Sequence, residues 1–178
     1  MCVQMKNLIT NLKKYFFNTD FKVLFHHQIK SSQSFLIDWL RKNNIQFLDV
    51  SGSAEKMIQE YESSDLHIGY RVHAHIFMSS INKPSILISE DSRAKGLSAV
   101  IGGLNFDGYL PMEFNLVNKI LLKLKLKSDI YIPVKNISRD IINHIEYEKK
   151  FKWPCMEIVN NNIHTHYKQM MNFINQLP

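Results

Sequence analysis

The sequence is poor in cysteine: Cys2 and Cys155 are its only thiols, and two cannot build a disulfide framework. Neither has a second thiol at metal-ligand spacing, so the sequence alone offers no metal site. Also missing is any apolar run approaching the roughly 18 residues a membrane-spanning helix needs. The opening Met1-Cys2-Val3-Gln4-Met5-Lys6 lacks the basic-then-apolar layout of a secretory signal. A reducing, cytoplasmic setting is therefore the expectation. There is no P-loop, no Gly-x-Gly-x-x-Gly, no Gly-x-Ser-x-Gly, no internal repeat and no low-complexity stretch. No resident cofactor is expected.

What is present is a chain of 178 residues, 45% hydrophobic and 21% charged. That length fits one ordinary domain or one lobe of a larger enzyme, and that composition can form a sizeable core. The formal charge is +6 and the isoelectric point near 9.2, which permits an acidic partner. Much of the excess sits in Lys119, Lys123, Lys125 and Lys127, and again in Lys149, Lys150 and Lys152. A solvated basic face is the plain reading. Peripheral docking at the inner membrane face, against anionic lipid or lipid-linked sugar precursors, is the functional one. No nucleic-acid signature accompanies the charge, so no nucleic-acid partner is expected.

Hydrophobic periodicity orders the chain. Strands are predicted at Phe21–Phe25, Ile45–Val50, Asp65–Gly69, Ser85–Ser89 and Gly108–Leu110. Helices alternate with them: one carries Phe35, Leu36, Trp39 and Leu40, a second Met57, Ile58 and Tyr61, a third spans Val72–Ile81, and a fourth Ala94–Ile101. This alternation predicts an α/β fold, a doubly wound parallel sheet with right-handed crossovers. Residues 1–20 read as an N-terminal helix or linker, 21–127 as the Rossmann-like domain, and 128–178 as a C-terminal helical tail. Within that last third, Met112–Leu126, Ser138–Phe151 and Met156–Leu177 read as helices. The alternating Leu122–Lys127 stretch fits a strand as well.

Ligands of open α/β sheets bind beyond the C-terminal ends of the strands. That rule selects the loops His26–Ser32, Ser51–Ser53, Gly69–Arg71 and Ser89–Lys95, and the stretch after Leu110. The strand that ends at Gly69 places Arg71 and His73 in the first turn of the next helix. Free backbone N–H groups and the helix dipole favour an anion there. Arginine adds a planar fork for phosphate or carboxylate, and histidine can donate a hydrogen bond or move a proton near neutral pH. His73 and His75 point about 160° apart on a helix of 3.6 residues per turn and cannot share a metal. His75 reads as a satisfied core histidine. Either His26 or His27 should face the cleft, and His26 is the candidate; Asp49 reads equally as a turn former or a base.

Arg71-Val72-His73, the turn Asn82-Lys83-Pro84, and Ile88-Ser89-Glu90-Asp91-Ser92-Arg93-Ala94-Lys95-Gly96 together resemble the polysaccharide pyruvyl transferase family. In that family an Arg-x-His segment opens an apolar helix, followed by a Gly-x-Pro-like turn and a Ser-Tyr-Asp-Pro-Lys-x-x-Gly loop. Here Glu90 stands for the aromatic, Ser92 for proline and Arg93 for lysine. The close resemblance covers about thirty residues. It implies the C-terminal lobe of a GT-B-like enzyme that moves a ketal-forming pyruvyl group from phosphoenolpyruvate to a sugar or lipid-linked saccharide. It assigns Arg71 to the phosphate or carboxylate, and His73 as acid/base or as a second donor. Ser89, Arg93 and Lys95 line the neighbouring loop, placed to steer an anionic donor or acceptor; Glu90 of that loop and His26, from its strand end, complete the candidate substrate-binding set. It further implies a facing N-terminal lobe, or an oligomer partner in its place. A nucleotide-sugar-binding glycosyltransferase lobe and a non-catalytic carbohydrate- or anion-binding module are the alternative readings.

Overall fold

The computed structural model describes residues 2–30, 33–111 and 131–177. Helix α1 (Cys2–Tyr15) leads into β1 (Lys22–Phe25), α2 (Ser34–Lys42), β2 (Gln46–Asp49), α3 (Ala54–Glu62) and β3 (His67–Gly69). Then follow α4 (Val72–Ser80), β4 (Ser85–Ser89), α5 (Ser92–Ile101), β5 (Leu104–Asp107) and β6 (Tyr109–Pro111). Strand β7 (Tyr131–Pro133) and helices α6 (Ile137–Lys150) and α7 (Pro154–Ile174) complete the chain. The helix expected over Met112–Leu126, the Leu122–Lys127 alternative and the boundary at residue 127 lie outside the described residues.

The fold is α/β with small parallel sheets. β1 pairs with β2 from Lys22↔Gln46 to Phe25↔Asp49. β4 sits between β3 and β5, parallel to both. The five strands thus form ladders of two and three, rather than the single doubly wound sheet expected. The strand expected at Gly108–Leu110 is corrected as well. The parallel strand is β5, over Leu104–Asp107, while Tyr109–Pro111 pairs antiparallel with Tyr131–Pro133. Gly108 forms the bend between the two strands, and an added Cβ there would lie 2.9 Å from Ile88 and 3.0 Å from the Ser89 carbonyl.

β4 is buried at every position, as expected for a parallel strand covered on both faces. Ile86 and Ile88 pack into one cluster with Leu8 and Leu12 of α1 and Ile137, Ile141 and Ile145 of α6. On the opposite face, Ser85 hydrogen-bonds His75 of α4. Ile9, on another stripe of α1, packs with Phe25, Leu36, Ile37, Leu40 and Ile45 around the β1–β2 ladder. α1 therefore covers both ladders. α4 ends where Asn82 takes a left-handed conformation (φ 64°) and Lys83 N–H returns to the Met78 carbonyl at 2.9 Å. Pro84 follows, where no helix could continue.

Candidate functional site

The ends of β1 and β3 bring three predicted residues to one place. Arg71 is the residue before α4, with extended backbone (φ −91°, ψ 110°) and no side-chain cap on the helix. The first turn of α4 thus keeps N–H groups free for a ligand. The Arg71 Nη2 lies 2.6 Å from Nδ1 and 2.8 Å from Nε2 of His27. A guanidinium only donates, so the imidazole nitrogen it meets must be unprotonated. One such contact leaves the other donors of the five-donor fork for an anion. His73 is exposed on the same first turn.

His26 turns the other way, half-buried, with Nε2 2.6 Å from the Tyr61 hydroxyl and its ring stacked on that of Tyr61. Burial lowers its pKa first, and the neighbouring Arg71, His27 and His73 lower it further. His26 is thereby held as a neutral imidazole beside a cationic group. Burial likewise raises the pKa of the Tyr61 phenol, so it stays protonated as a hydrogen-bond donor.

The loop after β4 is built differently. Ser89 is buried, and its hydroxyl donates to Asn105 Oδ1 at 2.6 Å. Asp91 caps α5 by accepting from Arg93 N–H at 3.0 Å, and grips the Arg93 guanidinium at 2.6 Å. Lys95 pairs with Asp107 at 3.1 Å. The two loop cations thus face acids of the chain itself. Glu90 is exposed, and its charge adds to burial in raising the pKa of Tyr70 and Tyr109. Asp49 proves a turn former: its carboxylate accepts from Ser51 N–H at 2.9 Å, and hydrogen bonds from the Ser51 side chain first and then its backbone hold it below the usual carboxylate range.

Arg71, His73 and His26 therefore share one corner, while Ser89, Arg93 and Lys95 form a second, already paired set. Sequence reasoning chose His26 over His27, yet both converge here. β1 ends at Phe25, and the alternation that would have separated them ends with it. A second feature had no sequence signal. Ser85 Oγ lies 2.8 Å from Nδ1 of both His67 and His75. Both rings are buried, with pKa values lowered by burial to about 3 and about 4. His75 is the satisfied core histidine its spacing implied, pointing away from exposed His73. Comparison with protein-family models, with curated proteins and with solved structures returns no match for the chain.

Proposed function

We propose that the chain is a lobe of a phosphoenolpyruvate-dependent pyruvyl transferase acting on a sugar of a cell-surface polysaccharide or its precursor. The observation that carries this reading is the uncapped start of α4, where Arg71 is flanked by His26, His27 and His73 beyond the ends of parallel strands. Phosphoenolpyruvate carries a phosphate and a carboxylate, and that corner offers a fork, free N–H groups and imidazoles to hold them. Ketal formation delivers one proton to the methylene carbon and removes one from each attacking hydroxyl, as phosphate leaves. His73, exposed on the first turn, is the acid/base. His26, whose pKa burial lowers, and His27 are hydrogen-bonding neighbours of that corner.

The second reading is a non-catalytic anion- or carbohydrate-binding module of the same fold. It is favoured by the pairing of Arg93 with Asp91 and of Lys95 with Asp107, which leaves a small cationic site. The deciding experiment titrates the chain with phosphoenolpyruvate, inorganic phosphate and a nucleotide-sugar while following the imidazole resonances. Pyruvyl transfer to a panel of sugar acceptors is assayed with the facing lobe present. Phosphoenolpyruvate is expected to shift His26, His27 and His73 and to bind more tightly than phosphate. Arg71→Ala should cost roughly 2–5 kcal/mol of donor binding, and Arg71→Lys should restore little of it. His73→Ala should lower turnover by about 10²–10⁴-fold with little change in donor affinity. Equal binding of phosphate and phosphoenolpyruvate, with no transfer, would leave the module as the better reading. Preference for the nucleotide-sugar would point to the glycosyltransferase alternative.

A further inference from the structure

Sequence spacing gave no metal site, but the α6–α7 turn brings three ligand-bearing side chains together on the far side of the core. His144 and Glu148 stand one helical turn apart on α6, with His144 Nε2 3.7 Å from Glu148 Oε1. Lys152 and Trp153 then both take left-handed conformations (φ 58° and 61°), reversing the chain. Trp153 N–H donates to the Glu148 carbonyl at 2.7 Å. The reversal returns Cys155, in the first turn of α7, so that its N–H donates to Glu148 Oε2 at 3.2 Å. One ligand atom each from His144, Glu148 and Cys155 lies within 4.8 Å of the other two.

Glu148 is the unusual member. Its side chain is 1% exposed, and a buried carboxylate needs compensating charge. Its neighbours here are an imidazole, a backbone N–H and a thiol. A divalent cation held beside the carboxylate would supply that charge.

We propose that His144, Glu148 and Cys155 bind a zinc-class divalent cation, leaving a fourth position for water or a ligand atom. Tetrahedral zinc with bonds of about 2.0–2.3 Å sets its ligand atoms roughly 3.3–3.8 Å apart. The His144–Glu148 separation already falls in that range, and closure by at most about 1 Å brings in the thiolate. Mixed nitrogen, sulfur and oxygen donors select zinc-like ions over magnesium or calcium. The scaffold is firm: Ile141, Ile145 and Val159, on the two helices, are almost fully buried, and Phe106 meets the His144 ring edge-on at 5.6 Å.

The test titrates the metal-free full chain with cobalt(II) and zinc(II). One equivalent of cobalt should give tetrahedral visible bands and a near-ultraviolet thiolate-to-cobalt charge-transfer band. Zinc should raise the melting temperature. Cys155→Ser should abolish the charge-transfer band. Either Cys155→Ser or His144→Ala should weaken zinc binding by at least about 100-fold, since even outer-shell changes cost about 10–100-fold. His144 and Cys155 are only part-buried, so metal-free circular dichroism should be unchanged in both; if the serine variant does not fold, His144→Ala decides alone. Exposed His164 and His166 remain in every variant, so adventitious binding through them would survive the substitutions. No charge-transfer band, or zinc affinity unchanged in the folded variants, overturns the proposal and leaves Glu148 as a helix cap.

Discussion

Ser85 must play two roles at once. Its single hydroxyl hydrogen points to one Nδ1, so it donates to one of His67 and His75 and accepts N–H from the other. The two neutral rings are therefore opposite tautomers. Ser85→Ala leaves both Nδ1 atoms without that partner inside the core, at an expected cost of about 1–3 kcal/mol, read from denaturant midpoints. The same pair sets a pH dependence. The unfolded chain protonates histidine near 6.5, whereas folded His67 and His75 wait until about 3 and about 4. Between those values the unfolded state binds more protons, so stability is full above about pH 6.5 and is lost as pH falls. Each ring contributes a slope of up to about 1.4 kcal/mol per pH unit. His75→Asn, which keeps a hydrogen-bonding group but does not titrate, should remove about half of that slope between pH 4.5 and 6.5. A slope that does not shrink counts against the burial argument. Neither ring could be linked to Ser85 from the sequence, because their meeting depends on the register of β3 against β4. Arg71 and His73 were legible there, because a strand, a glycine and a helix start in order fix a position without any register.

At the level of elements, helix starts differ: α3 and α5 carry side-chain caps, whereas α2, α4, α6 and α7 do not. Ser53 caps α3 by accepting from Lys56 N–H at 3.1 Å, and Asp91 caps α5. α4 begins on an arginine instead. Serine or threonine at such a position is worth typically about 1 kcal/mol, so a start left bare is stability forgone where function is proposed. Arg71→Ser is expected to hold or raise the melting temperature while abolishing phosphoenolpyruvate binding. A variant that melts several degrees lower and still binds would show that Arg71 is there for its contact with His27. β4 was readable residue for residue because Ser85–Ser89 is apolar at its centre and bounded by Pro84 and Glu90. β5 was not, since Leu104-Asn105-Phe106-Asp107 is short and half polar and follows two glycines. The His144, Glu148 and Cys155 grouping was hidden for another reason. His144 and Glu148 show helical spacing, but Cys155 reaches them only through two left-handed residues that no spacing rule anticipates.

At the level of the whole molecule, α1 and α6 hold the core shut. Asn11 donates to Ser138 at 2.8 Å, Tyr15 hydrogen-bonds Glu146, and Lys149 lies over the rings of Tyr15 and Phe16. Burial, and then Glu146, push the Tyr15 phenol up to about 12. α6 is thus part of the core rather than an appended tail. No helix among the described residues is long and apolar enough to cross a membrane. Ending the chain after Asn136 would leave Ile86, Ile88, Leu8 and Leu12 without Ile137, Ile141 and Ile145. Such a truncation is expected to lose cooperative unfolding, checked by a calorimetric transition that broadens or disappears. A sharp transition in the shortened chain would place the cooperative unit in the ladders alone.

The embrace of α1 by α6 also has a consequence in time. The partners Asn11 and Ser138 are separated by 127 residues, and Tyr15 and Glu146 by 131. Closing loops of that length slows folding, and synthesis delivers the N-terminus first. α1 leaves the ribosome well before α6 and is therefore among the last elements to be fully covered. Until Ile145 emerges, Leu8 and Leu12 show part of their apolar stripe to solvent, a natural substrate for chaperones that work beside the exit tunnel.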